Sequence, residues 1–166
     1  MSKVPPSISI ELSPLTSDDS YWMSRALELA SDAARLGEVP VGALLVRGGD
    51  VLAEGHNRTV TDSDPSAHAE VVVMRSAGAR LGDWRLTESA LYVTLEPCAM
   101  CCGAIVLARI PKVVYGASDP KSGMAGSLGN LLQDPALNHR AEVTGGVQAD
   151  AAGALLRDFF RERRAE

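Results

Sequence analysis

The chain has few cysteines, and they are not spread along it. Three thiols among 166 residues is an odd number, which excludes a closed disulfide framework. No apolar run approaches the roughly 20 residues that cross a bilayer, so no membrane partner is expected. The opening stretch "MSKVPPSISIELSPLTSDDS" lacks both the continuous apolar core of a secretory signal and the arginines of a transit peptide. The expected address is therefore the cytoplasm. There is no internal repeat and no sign of a second domain. Positive charge is also short: the formal net charge is −5, which argues against a wide phosphate-gripping face. Only residues 99–166 are slightly basic, with eight basic against seven acidic groups, a balance that suits a small, local RNA footprint.

What the chain does have is the composition of one globular domain, 46% hydrophobic and 22% charged, long enough to bury a real core. Residues 1–17 mix Pro and Ser without a period and read as a flexible extension, leaving a single domain over 18–166. Trp22, Ala26, Leu29, Ala30 and Ala33 share a helical face behind Ser17, Asp18 and Asp19, which suit a helix start. Apolar runs on either side of Gly48, Gly49 and Asp50 read as a hairpin. "AEVVVMRSAGARLG" carries three valines that favour strand. Its length, the caps Asp64 and Ser66 before it and Gly82 after it predict a helix instead. "ALYVTL" is an apolar run of strand length, as in a sheet covered on both faces. A helix through "GAIVLARI", a strand "KVVYGA", a Gly- and Pro-rich irregular stretch and a short strand around 142–147 follow. The last helix, capped by Asp150, has Ala152, Leu155, Leu156 and Phe159 as its apolar stripe. Alternating strands and helices predict a three-layer α/β/α domain whose mixed sheet of about five strands opens with an antiparallel hairpin.

All three cysteines fall in "LEPCAMCC", residues 95–102. Cys98 and Cys101 form a C-x-x-C pair where a buried strand passes into a helix, both sulfurs on one side of the first turn. The positive helix end there favours thiolate, and Pro97 fits such a terminus. The pair alone leaves redox chemistry, metal binding and chance burial open. "HAE", His68 to Glu70, also falls at the start of a helix. Two facing helix N-termini could present His68, Cys98 and Cys101 to one tetrahedral zinc, leaving a fourth position for water. Glu70, about 200° around the helix from His68, is not expected to ligate. It suits proton transfer between the water and a substrate nitrogen.

The pattern H-x-E…P-C-x-x-C is that of zinc deaminases of nucleobases. With "EVPVGA", "GHN", "DPSAHAE", "LYVTLEPCAMC", "DPKSGMAGS", "NHR" and "DFFRERR", the chain from about Tyr21 to Arg164 resembles the cytidine-deaminase-like superfamily. Within it the chain is similar to the bacterial tRNA-specific adenosine deaminases. The resemblance implies a cytidine-deaminase-like fold, one zinc per chain held by His68, Cys98 and Cys101, and Glu70 as proton shuttle. Activated water would attack C6 of a flipped wobble adenosine in the tRNA anticodon loop, giving inosine. It further implies substrate contacts from Asn57, Ala69, Asp119 and Phe160, and a homodimer in which "CGAIVLARI" is a candidate contact. Asn57 and Asp119 also fit ordinary turn chemistry. Phe160 could stack on a loop base, while Arg157, Arg161 and Arg164 form either a basic stripe for phosphates or, with the interleaved Asp158 and Glu162, an ordinary solvated charged face. Cys102 reads as a packing residue, with a switch of ligand from Cys101 to Cys102, four residues after Cys98, as the alternative, and His139 lies near the groove or satisfies a loop. Met124 and the N-terminal extension depart from the family pattern. The rivals are a deaminase of the same fold acting on free guanine or cytosine, and a C-x-x-C redox or structural domain.

Overall fold

The computed structural model describes residues 16–166, with side chains from Asp19 onward. The extension expected over 1–17 lies outside the described residues, except that Thr16 and Ser17 belong to the first helix. The order is α1 (Thr16–Arg35), β1 (Gly42–Arg47), β2 (Asp50–His56), α2 (Ala69–Leu81), β3 (Ala90–Leu95), α3 (Ala99–Ala108), β4 (Lys112–Ala117), β5 (Glu142–Thr144) and α4 (Ala149–Ala165). The strands form one sheet in the order β2-β1-β3-β4-β5. β1 is antiparallel to β2 and β3, while β3, β4 and β5 run parallel. This is the mixed five-stranded sheet expected.

Period-two alternation along the strands explains the layering. Ala43, Leu45, Leu91, Val93, Val113 and Tyr115 face one core with Val73, Met74 and Ala77 of α2 and Cys102, Ile105 and Val106 of α3. Leu44, Val46, Tyr92 and Val114 face the other, against Met23, Ala26 and Leu29 of α1. The three valines therefore do lie on a helix, with only Val73 fully buried among them. α1 sits close on the sheet: a Cβ at Gly42 would collide with the backbone of Ala26 and lie 2.6 Å from the Ala30 nitrogen. α4 joins α1 on that face, contacting β4.

Two expectations are corrected. Asp150 does not cap α4; the N-cap is Gln148, at φ 53°, and Asp150 lies in the first turn. The Gln148 Nε2 amide donates to Ser20 O (2.8 Å) and Ser24 Oγ (2.9 Å) on α1, so a tertiary tie fixes where the helix begins. The last strand stops at Thr144, because Gly146, at φ 85°, turns the chain and bonds Gly116 O instead.

The sheet direction places the site. The C-terminal ends of β3 and β4, the end of β2 and the start of α2 gather at one edge, and the long 118–141 segment folds back over it.

Candidate active site

His68 and Cys98 occupy matching positions, the N-caps of α2 and α3, both with extended backbone and neither using its side chain as a cap. The carbonyls of both begin the helices, accepting from Val72 N and Cys102 N at 2.9 Å. Their side chains are thereby free to turn toward each other. His68 Nδ1 lies 3.6 Å from Cys98 Sγ and 3.6 Å from Cys101 Sγ. These three ligand atoms form a group that could hold a metal ion. Tetrahedral zinc, with bonds of about 2.3 Å to sulfur and about 2.0–2.1 Å to nitrogen, requires an S···N edge of about 3.5–3.6 Å. The donor set fits that ion in both chemistry and spacing.

The electrostatics agree with the geometry. Hydrogen bonds from Cys101 and His68 draw the Cys98 thiol down to about 3. The bond to Cys98, together with burial, pushes Cys101 upward, and the bond to Cys98 raises His68. The shift at Cys98 favours the thiolate, the form that ligates a soft cation. Cys102 stands apart: it is fully buried, its thiol contacts Pro97 O at 3.5 Å, and burial pushes it up to about 12.

Glu70 is outside the ligand group but beside it, with a side-chain bond to Cys101, and is only 4% exposed. Burial pushes its carboxyl up to about 6, within reach of proton exchange near neutrality. Asn57 is buried, and its Oδ1 accepts from Ala69 N–H at 3.0 Å. Ala69 itself is fully buried, with its N–H taken by Asn57.

Asp119 is half-buried beside the cysteine motif, its Oδ1 accepting from Lys121 N (3.0 Å) and Ser122 N (3.2 Å). It lines a groove of about 780 Å³ together with Leu95, Lys121, Arg157 and Phe160. Phe160 is 44% exposed there, edge-on to buried Phe159 with ring centroids 5.4 Å apart. The basic stripe on α4 divides. Arg157 and Arg164 line the continuation of the groove with Arg163, whereas Arg161 pairs with Asp158 at 3.4 Å. Arg163 also lies over the Phe159 ring (4.7 Å) and donates to Gly37 O. His139 is not in this groove; its Nε2 meets Ile110 O at 2.7 Å.

Comparison with known proteins bears on the base this edge handles. A family model described as MafB19-like deaminase matches residues 17–164. The tRNA-specific adenosine deaminase of Bacillus subtilis (strain 168) is 50% identical over 146 residues, 88% of this chain and 91% of its own. The chain belongs to the tRNA-specific adenosine deaminase family. Among solved structures, a chain from a study of A-to-I editing by tRNA:A34 deaminases at the wobble position superposes with a TM-score of 0.80. It is 42% identical, covering 82% of this chain and 99% of that one. A guanine deaminase from Nitrosomonas europaea is more distant, with a TM-score of 0.70 and 27% identity over 84% of this chain and 83% of its own.

Sequence reasoning missed two buried acids of this deaminase. Glu38 is fully buried and accepts from Thr61 N (2.6 Å), Thr61 Oγ1 (2.9 Å) and Thr59 Oγ1 (3.4 Å), pinning the loop after Asn57. Burial works against the charge, but these bonds hold its carboxyl below the usual range. Glu96 is 2% exposed and takes four bonds from the 119–127 loop. The available signal was an acidic residue embedded in an apolar frame, in "GEVPVGA" and "VTLEPC".

Proposed function

We propose that this deaminase converts the wobble adenosine of a tRNA anticodon to inosine, using one zinc ion per chain. The observation that carries the reading is the His68, Cys98 and Cys101 donor set with Glu70 buried beside it. The Phe160 groove, whose lining includes none of these four, lies at the same end of the sheet, where Leu95 and Ala117 close β3 and β4. A closed pocket would suit a free base; an open groove flanked by Arg157, Arg163 and Arg164 suits a nucleotide embedded in RNA. The B. subtilis relative supports the same substrate.

Bound zinc would supply the Lewis acidity that makes water a nucleophile near neutral pH. Around it the chain's residues divide the work. Glu70 takes a proton from water and delivers it to the adenine ring nitrogen, which prepares C6 for attack by the water oxygen. The proton of the C6 hydroxyl so formed, passed by Glu70 to the amine, lets that group leave as ammonia and leaves the C6 carbonyl of inosine. Asn57, anchored through Oδ1 to Ala69, presents its amide to the flipped base. The Ala69 backbone shapes the floor under it. Asp119 approaches the nucleotide's sugar, and Phe160 stacks on a neighbouring base.

Two copies pair through the apolar face of α2 and α3. Val71, Met74, Trp84 and Leu107 line a depression there, and Trp84 and Leu107 are 61% and 68% exposed, more than an isolated chain usually leaves in one patch. Sedimentation of wild type against Leu107→Lys reads this directly: a monomeric wild type removes the dimer from the proposal. No helix among the described residues is long and apolar enough to cross a membrane, and the proposed address is the cytoplasm, with its tRNA.

The test of the reaction is incubation with an anticodon stem-loop carrying a wobble adenosine, beside free adenine, guanine and cytosine. Inosine in the RNA is the expected result. Turnover of a free base without inosine would overturn the assignment in favour of a nucleobase deaminase.

A further inference from the structure

We propose that Glu96 is a positioning residue that holds the substrate-side loop, 119–127, in register with the cysteine motif. The proposal rests on the adenosine-deaminase reading above. Glu96 follows β3 and precedes the ligand pair, and its main chain is already tied to β4, with N–H donating to Ala117 O at 2.8 Å. Its side chain is 2% exposed, yet among the described residues no cation pairs with it. The loop itself fills the carboxylate. Oε1 accepts from Asp119 N–H (3.1 Å) and from the Ser127 hydroxyl, and Oε2 accepts from Ala125 N–H (3.1 Å) and Ser127 N–H (3.1 Å).

Four donors converging on one side chain leave little choice of residue. A carboxylate offers about four lone-pair sites and no donor, whereas a glutamine would turn an NH₂ group toward backbone N–H groups. The loop is built around this acid. Gly123 forms a bridge with Cys98, and a Cβ there would run into the Glu96 carboxylate and sit 2.6 Å from Asp119 O. Met124 N–H adds a bond to Pro97 O at 2.9 Å. The first residue Glu96 holds, Asp119, lines the groove with Lys121, Ser122 and Phe160. Glu96 thus connects two parts of the site with different tasks, the ligand pair that begins two residues along the chain and the groove wall across space. It belongs neither to the donor set nor to the groove lining, so its effect is exerted through the loop.

The experiment uses zinc-loaded holoenzyme of wild type, Glu96→Gln and Ser127→Ala. We expect both variants to keep the wild-type zinc content. Losing bonds to a charged acceptor should raise KM for the wobble-adenosine stem-loop by about tenfold or more in Glu96→Gln, and by less in Ser127→Ala, with kcat within about threefold. Amide exchange at Asp119, Ala125 and Ser127 should accelerate while that of α1 does not. A lowered kcat at unchanged KM, a loss of zinc alongside the KM effect, or unchanged exchange at those amides would each overturn the proposal. If Glu96→Gln does not fold, Ser127→Ala, which deletes a single hydroxyl, decides by the same readouts. Exchange requires no substrate, so a wild type that makes no inosine sinks the adenosine reading while the loop result is still read independently.

Discussion

Asn57 at the end of β2 holds the first N–H of α2, through the 3.0 Å bond from Ala69 N to Asn57 Oδ1. One side chain therefore joins the strand end to the helix opened by His68, and its two ends have separable roles. Asn57→Asp keeps the acceptor and loses the amide donors; we expect near wild-type melting with kcat/KM lowered by about 100-fold or more. Asn57→Ala leaves Ala69 N–H unsatisfied, costing about 1–3 kcal/mol as well. Thermal melts beside inosine formation distinguish the two, and equal activity in Asn57→Asp would remove the base contact.

Glu70→Gln should retain stoichiometric zinc and lose about 10²–10⁴ in kcat, the usual worth of a positioned acid/base. Metal analysis and single-turnover inosine formation check this. Zinc loss in this variant would make Glu70 a ligand.

The third thiol gives a clean internal control. Cys101→Ser should abolish near-stoichiometric zinc, whereas Cys102→Ala should keep it and lose only about 1 kcal/mol of packing. Elemental analysis of the two purified variants decides which sulfur binds.

Glu38 predicts a pH signature away from the metal. Its folded pKa lies below the ordinary value of 4.5 despite burial, because Thr61 and Thr59 bond the charged form. Its stabilisation is therefore fully present above about pH 4.5 and lost as pH falls through the lower folded value. Glu38→Gln should melt lower at pH 7, by about 1–2 kcal/mol, with the gap closing below pH 4. A gap that is constant from pH 7 to 3 would contradict the charged-acceptor account.

Phe160→Ala should raise KM for the stem-loop by roughly fivefold to a hundredfold, the range of one lost base stack. Because Phe159 and not Phe160 is the buried ring, melting should change little. Steady-state kinetics with the two phenylalanines exchanged one at a time separates stacking from packing.

The parts legible in the sequence were those whose chemistry dictates spacing. The C-x-x-C pair left redox chemistry, metal binding and chance burial open until "HAE" upstream completed a zinc-deaminase pattern, and the alternation of strands with helices gave the layered mixed sheet. Glu38 and Glu96 were illegible for a physical reason: a buried acid is tolerated only because of distant amides, Thr61 for one and Asp119 and Ser127 for the other. No local pattern contains those partners. The start of α4 was missed likewise, since Ser20 and Ser24, far away on α1, select Gln148 over Asp150. For Arg161 the spacing offered a basic stripe or a solvated charged face with Asp158 interleaved, and the 3.4 Å pair with Asp158 is the second of these.

The hairpin tip has a practical use. Gly48 and Gly49 take left-handed φ values of 57° and 82°, and a Cβ on either would meet nothing within 4 Å. β1 and β2 carry this tip to the far end of the sheet from Asn57 and His68. A Gly/Ser insert there, bearing a dye, an affinity handle or a tethered second protein, would enter open solvent. It would leave the groove edge clear for RNA.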